Sequence, residues 1–378
     1  MQWRGSIETT QEGDRKETDM KGKIAVGPGD GIGPEIVTEG VKVLQAVSRK
    51  YGHEFALKYF DTGGVALDKH GTSLTEEGLE LCRGSDAILL GAVGGPKWDY
   101  RANLGLLRMR REFGLFANLR PVKVFPAMVN CSTVKAEVVR DVDLMVLREN
   151  TGGVYFGQPK KQWQSDEGRM AVDSMVYSEH EIERIIRVGF ELARTRRKKL
   201  TSADKENVLE TSRLWRKVAE ELQPQYPDVE FEHMLADACA MWLMRSPRDF
   251  DVIVMANLFG DVLSDEASIL GGSLGMLPSA ELAGSGVGGK TMFGLYESSH
   301  GSAPTIAGKN VANPVATILS VAMMLRFSFG LTGEAEAVDR AVEEVLKVHR
   351  TPDIMEEGKT EVGTREMGDM VAGAVAAA

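Results

Sequence analysis

Hydrophobic positions along the chain follow two different patterns. Short runs that are apolar nearly throughout occur at 24–26 (IAV), 86–90 (DAILL), 143–147 (DLMVL) and 251–255 (DVIVM). Runs of this length without polar alternation predict strands covered on both faces. Between several of them, segments 179–199, 212–222 and 262–270 carry apolar residues at helical spacing. Another helix is predicted after residue 33, with Pro34 in its first turn and Val37, Val41 and Leu44 on one face. Strands alternating with helices give α/β organisation. The longest apolar stretch, 315–325, is ended by Arg326 well short of the roughly 20 residues that span a bilayer, so it predicts a buried helix. No Ser/Gly/Pro-rich linker separates two continuous halves, so a two-domain arrangement requires the chain to cross more than once. The basic run 194–199 (RTRRKK) is expected as the solvated end of the helix before it, where cations suit the dipole.

With 378 residues, 43% of them hydrophobic, the chain has material for one large core or two ordinary ones. Forty-five basic against fifty-five acidic residues give a net charge of −10, which opposes phosphate backbones and anionic membrane surfaces. Nucleic acid and membrane are therefore not expected as partners. Cys82, Cys131 and Cys239 lie far apart, giving neither a disulfide framework nor a thiolate metal knot, and a reducing cytoplasm fits them. Residues 1–20 have mixed charges and no apolar core, and read as a flexible tail rather than a secretory signal.

The glycine cluster GPGDGIGPE at 27–35 lacks the spacing of a dinucleotide fingerprint and is followed by no Gly-Lys-Ser/Thr, so it reads as a tight strand-to-helix turn. NLFGDVLSD at 257–265 carries more chemistry. Four-residue spacing puts Asp261 and Asp265 on one helical face, just after a strand. The pair reads either as surface acids or as ligands of a hard divalent cation. Asp237, an acid within an apolar stretch, is a third candidate for Mg²⁺ or Mn²⁺. Arg110, Arg120 and Arg148 would form a di-acid clamp if they converge, and structural ion pairs if they do not. Tyr155 and Lys205 are candidate proton-transfer groups.

GPGDGIGPE, GAVGGPKWD, GLFANLRPV, LRENTGGVYFG, DKENVLE, NLFGDVLSDEAS, GSLGMLPSA and HGSAPTIAGKNVANPVATILSVAMML occur in that order. From residue 23 to about 370 the chain closely resembles the 3-isopropylmalate dehydrogenases of the decarboxylating isocitrate/isopropylmalate dehydrogenase family. The resemblance implies a two-domain α/β fold distinct from Rossmann enzymes: 21–115 plus 272–378 as the cofactor-binding domain and 116–271 as the dimerisation and metal/substrate domain. It implies oxidative decarboxylation of 3-isopropylmalate with NAD in leucine biosynthesis, by a homodimer with shared active sites. Carried over by position, Arg110, Arg120 and Arg148 clamp the malate moiety, Asp261 and Asp265 bind the metal, and Tyr155 protonates the enol. Lys205, as general base, and Asp237, as metal and substrate ligand, reach the site from the other subunit. Leu106, Leu107 and Val208 face the isopropyl group. Glu297, His300, Gly301, Ser302, Ala303, Pro304, Thr305, Ile306 and Asn313 bind the cofactor.

Four positions depart from the family pattern. Asn103 stands where an acid near the nicotinamide ribose is usual, Thr305 replaces the aspartate of NAD-binding members, and Ser298-Ser299 replaces Pro-Val. Another malate-like substrate such as tartrate or homoisocitrate, and a non-catalytic regulatory paralogue, are the alternatives.

Overall fold

The computed structural model describes residues 20–286 and 291–378. Apart from Met20, the expected N-terminal tail lies outside these residues. Twelve strands build the parts of the fold that matter here: β1 (Lys21–Gly29), β2 (Glu54–Tyr59), β3 (Ala87–Ala92), β4 (Ala117–Lys123), β5 (Asp143–Glu149), β6 (Lys160–Ser165), β7 (Gly168–Asp173), β8 (Lys199–Asp204), β9 (Glu230–Leu235), β10 (Val252–Met255), β11 (Pro278–Leu282) and β12 (Gly294–Ser298). All but β6 and β7 join one ten-stranded sheet in the order β2-β1-β3-β12-β11-β4-β5-β10-β8-β9, while β6 and β7 pair as a separate hairpin.

The sheet is mixed. β2, β1, β3 and β12 run parallel at one end, and β5, β10, β8 and β9 run parallel at the other. Antiparallel pairings of β12 with β11, β11 with β4 and β4 with β5 join the two ends. Strands from 21–92 and 278–298 form one half and strands from 117–255 the other, so the chain leaves the first half after β3 and returns to it at β11.

The apolar runs read from sequence lie inside this sheet: every residue of β3 and of β10 is buried. The helix Val315–Phe327 has Val315 through Leu325 buried, consistent with its all-round apolar sequence. No helix among the described residues is long and apolar enough to cross a membrane.

Some helix boundaries differ from the periodicity. The helix at 262–270 begins earlier, as Asn257–Ser268, and the one at 179–199 ends at Arg194. Lys198 adopts a positive φ of 62° and Lys199 opens β8, so the basic run straddles a turn. Its arginines are not simply solvated. Arg196 bonds buried Asp251 at 2.8 Å and Asp143 at 2.6 Å, and Arg194 bonds Asp228. A buried carboxylate at the foot of β10 requires a cationic partner, and that need overrides the dipole argument.

Candidate active site

The glycine turn after β1 backs the site from behind. Gly29 and Gly31 have φ of 71° and 57°, and Asp30 between them is buried. Its carboxylate accepts from the backbone N–H groups of Gly64 (2.7 Å), Val65 (2.8 Å) and Gly94 (2.7 Å). Ile32 N–H donates to the Ser302 carbonyl at 2.9 Å, tying the turn to the loop after β12. Its role is to buttress that loop, in keeping with the tight-turn reading.

Three arginines enter from different elements. Arg110 comes from the helix Leu104–Glu112, Arg120 from β4 and Arg148 from the end of β5, and all are buried. They line one cleft of about 420 Å³ with Leu106, Leu107, Tyr155 and Asp261. Each is held by a neighbour distant in sequence. Arg110 donates to Glu281 through Nε at 2.9 Å and Nη2 at 2.5 Å, with Glu297 at 3.4 Å. Arg120 bonds Asn118 at 2.8 Å and Ser264 at 2.6 Å. Arg148 donates to Asn257 Oδ1 at 2.9 and 2.7 Å and also bonds Asp261. The helix carrying Asp261 lies so close that a methyl group on Gly260 would come within 2.6 Å of Arg148 Cβ, so glycine permits this packing.

The charges shape one another. Burial, then Arg120 and Arg110, pushes Arg148 down to about 10. Burial would raise the Asp261 carboxyl, but Arg148, the Tyr155 hydroxyl and Arg120 outweigh it and hold it below its ordinary value. Tyr155 donates to Asp261 Oδ2 at 2.5 Å. Burial and this bond push Tyr155 up to about 12, so it carries its proton at neutral pH. Its turn is fixed from behind, where Glu149 accepts from Thr151 and Gly152 N–H and Asn257 Nδ2 donates to the Gly152 carbonyl.

Asp265 lies one turn beyond Asp261, 3.6 Å from Arg120, with its carboxyl pushed upward by burial and by the charge of Asp261. A divalent cation would relieve that repulsion, and two hard carboxylates on one helix face fit Mg²⁺ or Mn²⁺. Asp237 does not join them within this chain. It is exposed and accepts from Lys205 Nζ at 2.6 Å, and among the described residues no three acidic, His or Cys side chains gather as a metal site. Val208, near Lys205 in sequence, is 62% exposed and likewise lies outside the arginine cleft.

The loop after β12 leads into a second cleft of about 360 Å³, lined by residues that include Ile32, His300, Gly301, Ala303, Ile306 and Asn313. Ser302 is buried and donates to the Gly94 carbonyl at 2.7 Å, whereas Pro304 and Thr305 stand exposed on the loop. Glu297 is buried in β12 beside Arg110 and lines the arginine cleft, not the second one.

Residue-by-residue reading missed Glu281, Asn257 and Asp353. An acid in the apolar run of β11 was the one available signal for Glu281. Asp353 lines the second cleft and accepts from Ser273 Oγ at 2.6 Å and Asn313 Nδ2 at 3.1 Å, with nothing in its local sequence to mark it.

Residues 23–371 match the isocitrate/isopropylmalate dehydrogenase family model. The 3-isopropylmalate dehydrogenase of Dehalococcoides mccartyi is 56% identical over 360 residues, covering 93% of this chain and 99% of that protein. That of Aquifex aeolicus is 53% identical over 357 residues, covering 93% and 96%. Among solved structures, an isocitrate dehydrogenase from Methylococcus capsulatus superposes with a TM-score of 0.83 at 36% identity, covering 94% of this chain and 99% of that one. A β-decarboxylating dehydrogenase from Thermococcus kodakarensis gives 0.74 at 31% identity, covering 93% and 96%. Taken with the cleft of three arginines, a tyrosine and paired aspartates, these matches establish that the chain belongs to the isocitrate/isopropylmalate dehydrogenase family.

Proposed function

We propose that this chain oxidatively decarboxylates 3-isopropylmalate to 4-methyl-2-oxopentanoate (2-oxoisocaproate) with NAD, as a cytoplasmic enzyme of leucine biosynthesis. One observation carries the reading beyond family membership: three buried guanidinium groups share a cleft with Leu106 and Leu107. The arginines match two carboxylates, and the leucines match a branched alkyl group. Isocitrate's additional carboxylate against those leucines would be left unpaired, a penalty of roughly 2 kcal/mol or more.

NAD supplies the hydride acceptor, and Mg²⁺ or Mn²⁺ at Asp261 and Asp265 supplies Lewis-acid polarisation of the substrate oxygens. The arginines orient the substrate and offset its charge. Tyr155, protonated and hydrogen-bonded to Asp261, donates its proton to the carbon that has lost CO₂. The second cleft, with His300, Gly301, Ala303, Ile306 and Asn313 on its wall, takes the adenosine half of the cofactor. Ser302, Pro304 and Thr305 belong to the same loop.

Lys205 takes the hydroxyl proton, and with Asp237 and Val208 it serves the site of a second copy. Support comes from their position outside their own chain's arginine cleft and from the exposed apolar residues Met241, Trp242 and Val262 nearby. A dimer covering that face would remove large side chains from water. Residues 21–115 with 272–378 form the cofactor-binding domain, and 116–271 the dimerisation and metal/substrate domain. This division follows the two halves of the sheet.

Purified protein is to be assayed with 3-isopropylmalate, isocitrate, homoisocitrate and tartrate against NAD and NADP. Turnover of 3-isopropylmalate well above the others supports the reading. Turnover of isocitrate alone overturns the leucine-pocket argument.

A further inference from the structure

Three consecutive residues at the end of β12 carry buried polar atoms without a hydrogen-bond partner: Ser298 Oγ, Ser299 Oγ and His300 Nε2. Such atoms are uncommon in native proteins, because each forfeits its hydration without replacement. All three residues line the arginine cleft, while His300 and Gly301 also line the second cleft. The cluster therefore sits at the seam between the cavity matched to the acid substrate and the cavity matched to adenosine.

Its chemistry is specific. His300 Nδ1 lies 2.9 Å from the Gly301 carbonyl, which only accepts, so Nδ1 carries the proton and Nε2 presents a lone pair. Two hydroxyls that donate or accept flank that acceptor. The set has no net charge, and Asn103 on the same cleft wall adds only a neutral amide. A phosphate or carboxylate would meet the Nε2 lone pair with its own, whereas a vicinal diol donates one hydroxyl to Nε2 and accepts from the serines. Resting on the dinucleotide reading above, we infer that Ser298, Ser299 and His300 hold the 2′,3′-diol of the nicotinamide-side ribose, making the two serines cofactor-positioning residues in this chain.

The test is calorimetric titration of the full chain with NAD, ADP-ribose and AMP, without substrate. Two neutral hydrogen bonds are removed in Ser298→Ala/Ser299→Ala, which should weaken NAD and ADP-ribose about 10- to 30-fold while AMP stays within about twofold. Ser298→Thr/Ser299→Thr, which keeps both hydroxyls, should recover much of the loss. Ser299→Ala alone, at the less buried position, should show a smaller loss of the same sign. Unchanged NAD affinity in the double alanine variant would overturn the inference. Weakened NAD with unchanged ADP-ribose would overturn it in favour of the carboxamide. If wild-type protein bound neither NAD nor AMP, the dinucleotide reading itself would fall.

Discussion

Glu281→Gln tests the buried charge arrangement that positions Arg110. Glu281 is fully buried and grips Arg110 through both nitrogens it faces, while Glu297 stands 3.4 Å from the same guanidinium. Burial, reinforced by the charge of Glu281, pushes Glu297 up to about 8, so in the wild type it is mostly protonated at pH 7. Stripping a buried cation of its partner ordinarily costs about 3–5 kcal/mol. Here Glu297 can take over. Ionising it at pH 7 costs on the order of 1 kcal/mol in the wild type, and less once the Glu281 charge is gone. Glu281→Gln should therefore lose only about 1–2 kcal/mol, and Glu297→Gln, which mimics the protonated acid, less than about 1 kcal/mol. The double variant leaves Arg110 without a carboxylate and should exceed the sum of the singles by at least about 1 kcal/mol.

The same arrangement sets a pH dependence. Glu297 has a folded pKa above its unfolded value, so its contribution is complete below about pH 4.5 and is lost as pH rises through about 8. In that window the native state keeps a proton that the unfolded chain has released, and stability falls by up to about 1.4 kcal/mol per pH unit. In Glu281→Gln the slope should flatten, because the like charge that helps to raise Glu297 is gone and Arg110 then favours its ionised form, although burial still holds it above its ordinary value. The assay is urea denaturation at fixed protein concentration from pH 5 to pH 8 for the wild type, both singles and the double. Additive losses with an unchanged slope in Glu281→Gln would refute the reasoning, because Glu297 would then not share Arg110.

Further outcomes follow from the site. Asp265→Asn should lower activity by at least about tenfold, with partial recovery at high Mg²⁺ or Mn²⁺, as seen in a metal titration; an unchanged metal dependence would return Asp265 to the role of a surface acid. Mixing inactive Lys205→Ala with inactive Tyr155→Phe should regenerate activity in verified heterodimers, each with one wild-type site, and no recovery would exclude shared sites. Thr305→Asp should tighten NAD and weaken NADP, each by about tenfold, because a carboxylate accepts from ribose hydroxyls and repels a 2′-phosphate. An unchanged ratio of the two dissociation constants would show that position 305 does not face the ribose.

The sequence by itself determined the elements whose pattern is local. The unbroken apolar runs of β3 and β10 read as strands covered on both faces, and 315–325 as a buried helix, and the structure has them so. Four-residue spacing likewise put Asp261 and Asp265 on one helical face, and long ordered motifs carried the family. Tertiary structure decided what depends on distant partners. Arg110 meets Glu281 across 171 positions and Arg148 meets Asn257 across 109, so no local period could show that the three arginines converge. The end of the helix at Arg194 was set by the pairing of β8 with β10 and β9, which recruits Lys199 into the sheet and turns Arg196 onto buried Asp251. The unpaired hydroxyls of Ser298 and Ser299 belong to the same class: serine in a sequence says nothing of hydration, and only burial without a partner marks a group that awaits one.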